Sequence, residues 1–343
     1  MIEERDRIIQ LLLERGAHPD ELSGSDLDLF ETAMDVLYRP ERPTLTLAQV
    51  AARRGLDTAR VVQLWRAFGL DAPAEDEVAL GESDVRLVAR LDELSELFGP
   101  EVGLSMARVA GASMARLADA GTSSFVTTQA VPFVGGSIPF EAVEINALVA
   151  DNLSGFMDAM DTLFRRHLQR VRRPVESVET TGAETQDLVV AFADLVDSTG
   201  STGQLSLSEL SAAIDRFEAT AIDIVVGHGG RVAKFIGDEV MFVHRDATGA
   251  VAAALDLLGP AADLAPMRIG VDAGPVLTRE GDFFGPVVNV AARATSLAAM
   301  GSVLVTESVV DRLEVGRFTS VPRGSLDVRG HGAVSFWEVG PAQ

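Results

Sequence analysis

The sequence predicts an α+β protein built in two parts, an all-α first half followed by a half in which strands and helices alternate. Three observations carry this. The chain has 343 residues, more than one hydrophobic core usually serves. The first half repeats apolar residues at spacings of three and four between Gly, Pro and Asp breaks, which is helical periodicity. Beyond about residue 186 the apolar residues gather instead into short runs bounded by turn residues, alternating with longer periodic segments. With 47% hydrophobic and 23% charged residues, the chain has ample apolar surface to fold.

Helices are expected over 8–15, 26–38, 46–54, 58–68, 83–98 and 100–119. Thr46-Leu47-Ala48-Gln49 is a capping-box pattern, Gly55 breaks the helix it opens, and Asp57 can cap the next through Phe68. That pair has the outline of a helix-turn-helix. Residues 120–136 break the pattern and are expected to form a loop. From Ser137, a candidate N-cap followed by Pro139, a long helix is expected to run to about Val171. Its positions Val149, Leu153, Phe156, Met160 and Leu163 step by 4, 3, 4 and 3, a coiled-coil-like seam whose next step lands on His167. Residues 1–171 are therefore read as a helical regulatory domain ending in a coupling helix.

The stretch 172–186, with its Pro, Gly, Glu and Thr, is read as a linker to a second domain over 187–343. There, Leu188–Ala193 is a buried-strand run and 207–226 a helix. Strands 231–236 and 239–244, helix 247–258, strand 267–273, helix 287–299, strand 302–306 and short terminal strands follow.

A formal net charge of −22 opposes any general polyanion-binding surface. Six arginines (39, 42, 53, 54, 60, 66) against Glu41 and Asp57 leave the helix pair locally at +4, so a helix-turn-helix DNA-binding regulator is the alternative, and DNA is the less expected partner. With no cysteine, disulfides and thiolate zinc sites are excluded. The charged start Met1-Ile2-Glu3-Glu4-Arg5-Asp6-Arg7 does not read as a secretion signal, and no apolar run approaches the ~18 residues of a spanning helix. A cytoplasmic protein without a membrane span is expected.

Strand 188–193 runs into Asp194 within Phe192-Ala193-Asp194-Leu195-Val196-Asp197-Ser198-Thr199-Gly200. A carboxylate at a strand end followed by small polar residues can hold a metal while backbone N–H groups meet phosphate. Two strand-like runs meet at Gly237-Asp238, so Asp238 sits at a hairpin tip as a partner for Asp194, and two carboxylates can bridge two Mg²⁺ ions bearing substrate phosphates. A plain Gly-Asp turn explains the same residues. In Asp282-Phe283-Phe284-Gly285-Pro286-Val287-Val288-Asn289-Val290-Ala291-Ala292-Arg293, Asn289 and Arg293 share one helix face, for which a solvated face is the blander account.

Together, in order, these three motifs make residues 187–340 resemble the class III adenylyl and guanylyl cyclase family. The resemblance implies a ferredoxin-like βαββαβ catalytic domain and an adenylate cyclase that converts ATP to 3′,5′-cyclic AMP and pyrophosphate with two divalent metal ions, Mg²⁺ or Mn²⁺. It implies Asp194 and Asp238 as metal ligands, Lys234 and Asp282 as the pair selecting adenine, Asn289 as the ribose-orienting residue and Arg293 as the one stabilising charge on the transferring phosphate. Lys can donate to adenine N1 and Asp can accept from its amine, whereas guanine presents the reverse pattern. Arg329, in Val328-Arg329-Gly330-His331-Gly332, stands where the family often has a phosphate-binding Lys, and Pro286 where it is often polar. A homodimer with shared sites is implied, metal carboxylates coming from one protomer and the remaining set from the other.

The first half resembles, in helix pattern and order, the N-terminal domain of bacterial adenylyl cyclases whose activity is pH-sensitive and autoinhibited. His167, beside Arg165, Arg166 and Arg170, is the candidate proton sensor. The apolar residues from Phe125 to Phe140 are a candidate pocket for a fatty-acid-like ligand, with core or dimer packing as the competing explanation.

Overall fold

The computed structural model describes residues 2–24, 26–129, 139–170, 184–196, 206–328 and 330–342. The chain divides into two units, Met1–Glu176 and Ser177–Gln343.

The first unit holds α1 (Ile2–Glu14), a 3₁₀ turn (Pro19–Leu22), α2 (Asp26–Tyr38), β1 (Leu45–Thr46), α3 (Leu47–Arg54), α4 (Thr58–Ala67), β2 (Val78–Leu80), α5 (Glu82–Phe98), α6 (Pro100–Gln129) and α7 (Phe140–Arg170). The capping box forms: Gln49 N–H donates to the Thr46 hydroxyl at 3.3 Å while Thr46 N–H donates to the Gln49 side chain at 2.9 Å. Gly55 closes α3 at φ 66°, a left-handed conformation that favours glycine. Two cores result. Leu47, Val50, Val61, Leu64, Val88 and Leu104 join α3 to α6, and Ile8, Leu12, Leu29, Ala33, Phe140 and Val143 join α1, α2 and the start of α7.

Three of the six arginines meet acids from outside the segment. Arg39 bonds Glu21 at 2.9 Å and Asp35 at 3.3 Å, Arg42 lies 3.9 Å from Glu21, and Arg53 pairs with Glu82. The Arg39 hydrogen bond, with that of the His18 N–H, lowers the Glu21 carboxyl to about 2.

Several boundaries differ from expectation, among them the start of α1, at Ile2 instead of residue 8. Helix α6 continues to Gln129 through the stretch expected to be a loop; Thr122 donates its hydroxyl to the Ala118 carbonyl at 2.9 Å, so a local polar residue is absorbed without ending the helix. Helix α7 begins at Phe140, after Pro139, instead of at Ser137, which lies outside the described residues. The side chains of 124–138 also lie outside them, but Phe140 is core, with the Arg7 guanidinium 3.8 Å above its ring. Beyond Ala147, α7 changes character: Leu148, Val149, Leu153, Phe156, Leu163, Phe164 and Leu168 are all exposed, leaving the predicted seam open.

The second unit is a sheet in the order β4-β5-β3-β6-β8-β10-β9, with β7 pairing on β6. Its strands are β3 (Glu184–Leu195), β4 (Arg231–Ile236), β5 (Glu239–His244), β6 (Met267–Arg279), β7 (Asp282–Phe284), β8 (Val303–Thr306), β9 (Phe318–Val328) and β10 (Gly332–Pro341). Its helices are α8 (Leu207–Gly227), α9 (Ala247–Leu258), α10 (Pro286–Leu297) and the short α11 (Glu307–Val310). β3 starts at Glu184, inside the stretch read as linker, because β6 runs on to Arg279 and offers Glu184 a partner in Thr278.

Successive side chains of a strand face opposite ways, so a run apolar throughout is a strand covered on both faces. Val189, Ala191 and Ala193 pack against Phe217, Ala221 and Val225 of α8 and Ala250, Ala254 and Leu257 of α9. Leu188, Val190 and Phe192 pack on the other face against Val287 and Ala291 of α10. Gly270 of β6 lets α10 come this close: a Cβ there would lie 2.0 Å from Thr295 N and 2.4 Å from the Ala291 carbonyl oxygen. No described helix is long and apolar enough to cross a membrane.

Candidate active site

The ends of β3, β5 and β6 bring one row of charge together. Glu239 and Arg268 are the cross-strand partners of Asp194 on either side. The turn that carries Asp238 needs a left-handed residue, supplied by Gly237 at φ 64°. Leu195 N–H donates to the Asp238 carbonyl at 3.2 Å, which fixes the two aspartates as neighbours. Arg268 donates Nε at 2.8 Å and Nη2 at 2.6 Å to a single oxygen of Asp194.

Burial, then the charges of Asp194 and Asp238, push the Glu239 carboxyl up to about 7 against the pull of Arg268. The spot is therefore short of positive charge. Asp194 and Asp238 supply hard oxygen donors there, a set that fits Mg²⁺ or Mn²⁺. Among the described residues no three His, Cys, Asp or Glu side chains form a complete metal cage, so the rest of each coordination shell would come from water, backbone or substrate oxygens. Residues 197–205, which follow Asp194, and Arg329 lie outside the described residues.

On β4 and β7, Lys234 Nζ donates to both oxygens of Asp282, at 2.8 and 2.6 Å. The two side chains are 38% exposed apiece, open to a ligand. Burial raises the Asp282 carboxyl, but the Lys234 hydrogen bond and the Phe283 N–H outweigh it and hold it below the usual range. Phe283 points into the core beneath α10, and the Arg231 guanidinium lies 4.9 Å from its ring centre.

Asn289 and Arg293 stand one turn apart on the exposed side of α10, whose opposite side buries Val287, Val290, Ala291 and Ala294. Pro286, the position that departs from the resembled pattern, occupies the first turn of α10, where its missing N–H costs no helical bond. His167 is exposed in the last turn of α7.

The structure thus brings Asp194 to Asp238 and Lys234 to Asp282. Sequence reading missed Glu239 and Arg268. The available signal for Arg268 was one cation inside the apolar strand Met267–Val271.

The model of the adenylate and guanylate cyclase catalytic domain matches residues 148–340. An uncharacterized protein of Mycobacterium tuberculosis (strain ATCC 25618 / H37Rv) is 31% identical over 342 residues, covering 96% of this chain and 88% of its own. An adenylate cyclase of Streptomyces coelicolor is 33% identical, covering 77% of this chain and 70% of its own. A protein named pH-sensitive adenylate cyclase from Mycobacterium tuberculosis (strain CDC 1551 / Oshkosh) is 29% identical, covering 90% and 80%. With a family model spanning more than half its length and relatives aligned over most of theirs, the chain belongs to the class III adenylate and guanylate cyclase family.

Proposed function

We propose that this protein is an adenylate cyclase converting ATP to 3′,5′-cyclic AMP and pyrophosphate. The observation that carries the substrate choice is the Lys234–Asp282 pair, bonded at 2.6 Å and still open to solvent. A base with an acceptor at N1 and an amine beside it replaces that mutual bond with two of its own, whereas guanine sets donor against donor at Lys234.

The ribose 3′-oxygen attacks the α-phosphorus in line, forming the O3′–P bond as the bond to the bridging oxygen of pyrophosphate breaks. Lys234 and Asp282 hold the base, Asn289 orients the ribose, and Arg293 sets a permanently charged fork against the transferring phosphoryl group. Arg329 takes the terminal phosphates, keeping the charge of a lysine in a different shape. Asp194 and Asp238 hold the divalent ions, which when bound supply charge neutralisation and a more acidic 3′-hydroxyl. The proton leaves to water or Asp194. Catalysis is thus mainly positioning and charge stabilisation.

The β3–α8–β4–β5–α9–β6 segment is read as ferredoxin-like, supported by its β4-β5-β3-β6 order and antiparallel pairings. The active form is read as a homodimer in which each chain lends one set of residues to each site. The helical unit, through α7, is read as regulatory, with His167 sensing protons.

Purified protein supplied with ATP or GTP and Mn²⁺ or Mg²⁺ tests the reaction: cyclic AMP from ATP is expected, and no product from ATP refutes it. Mixing inactive Asp194→Ala and Arg293→Ala proteins tests the dimer, because a mixed pair holds one intact site and must regain activity. His167→Ala tests the sensor: an unmoved pH–activity profile ends that assignment.

A further inference from the structure

We propose that Arg268 is a built-in cation seated on Asp194 in the free protein, which an incoming divalent ion must displace. Both donors of its guanidinium edge converge on one Asp194 oxygen, at 2.8 and 2.6 Å. A carboxylate so engaged has less to offer a metal, since charge-assisted bonds of this kind are among the stronger ones.

The backbone around Arg268 is held on both sides. Val196 N–H donates to the Pro266 carbonyl at 2.8 Å, Gly301 N–H to Met267 at 2.7 Å, and Ile269 N–H to Ser302 at 3.1 Å. Release is therefore a movement of the side chain alone, and at 38% exposure that side chain has a path to water. Glu239, Asp194 and Arg268 form one cross-strand row with Asp238 at the adjoining turn, three carboxylates to one guanidinium. Arg268 offsets part of the repulsion that would otherwise spread the acids, keeping Asp194 oriented, and it charges each arriving metal for its own removal. Arg268 is a positioning residue by this account, and its cost appears as weakened metal affinity.

The inference rests on reading Asp194 as a metal ligand, and its test separates the two. Mn²⁺ is titrated into nucleotide-free, full-length wild type, Arg268→Met and Arg268→Gln, and free Mn²⁺ is read by electron paramagnetic resonance. Both variants are expected to bind Mn²⁺ about tenfold more tightly, the equivalent of one charge-assisted bond no longer competing. Affinity unchanged or weaker in folded variants overturns the proposal, and where Arg268→Met fails to fold, Arg268→Gln decides. Asp194→Ala is expected to lose this binding in either background. If Asp194→Ala binds like wild type, the metal-ligand reading fails; if it loses binding while the Arg268 variants do not tighten, only the Arg268 proposal fails.

Discussion

Replacing Gly270 with alanine tests whether the seat of α10 determines activity. The new Cβ would lie 2.0 Å from Thr295 N, 2.4 Å from the Ala291 oxygen and 2.6 Å from Ala294 C, all helix backbone that no rotamer change can move aside. Reaching an ordinary 3.4 Å contact from 2.0 Å requires α10 to retreat by 1.4 Å. Overpacking of this kind costs about 1–3 kcal/mol, a fall of roughly 2–12 °C in the melting temperature of a domain this size. The same displacement carries Asn289 and Arg293, and misplacement by about 1 Å costs on the order of a hundredfold in rate. Gly227→Ala is the control, since a Cβ there meets nothing within 4 Å. Thermal melts and steady-state cyclic AMP formation are the assays. Gly270→Ala that melts and turns over like Gly227→Ala refutes the reasoning.

Three further outcomes are expected. Lys234→Met removes the cation that donates to Asp282 and leaves it the Phe283 N–H alone of the two donors described, so kcat/KM for ATP falls about a hundredfold and the ATP-to-GTP ratio narrows; an unchanged ratio separates Lys234 from base selection. Glu239, pushed up to about 7 from 4.5, holds a proton in the fold that the unfolded chain has released, so in metal-free buffer stability present below about pH 4.5 is lost as pH rises through about 7. Glu239→Gln flattens that slope in pH-dependent melts, and an unaltered slope removes Glu239 as its source. Leu64→Ala, at a fully buried position of α4, destabilises the helical unit by about 2–5 kcal/mol in urea unfolding followed by circular dichroism, and a loss well under 1 kcal/mol contradicts the core described.

Much of this architecture was legible because it rests on local physics. Thr46 with Gln49, and Gly55 behind them, announce a helix by capping chemistry that works wherever the chain is. The apolar run Leu188–Ala193 announces a strand covered on both faces. Asp194 and Asp238 were legible as strand-end and turn carboxylates, but the row around Asp194 was not. Arg268 and Glu239 reach it only through strand register, which brings together residues 74 and 45 positions from Asp194. The end of α6 failed for a different reason: Gly121, Thr122 and Ser123 are loop formers by propensity, but a long helix already under way absorbs them. Likewise the charge count near the helix pair missed Glu21 and Glu82, distant in sequence and adjacent in space.

Among the described residues helix α7 is held at its start, where Phe140, Val143 and Ala147 are buried, Ala150 packs against the same core and Asp151 pairs with Arg15 at 2.5 Å. At 1.5 Å per residue, the portion from Asn152 to Arg170 reaches roughly 28 Å beyond that grip. A rod of that length would act as a lever: a tilt of about 10° at the buried root would swing the tip by roughly 5 Å, close to one helical turn. A repacking among α1, α2 and α7 too slight to register as a change of fold would thereby be magnified at the far end.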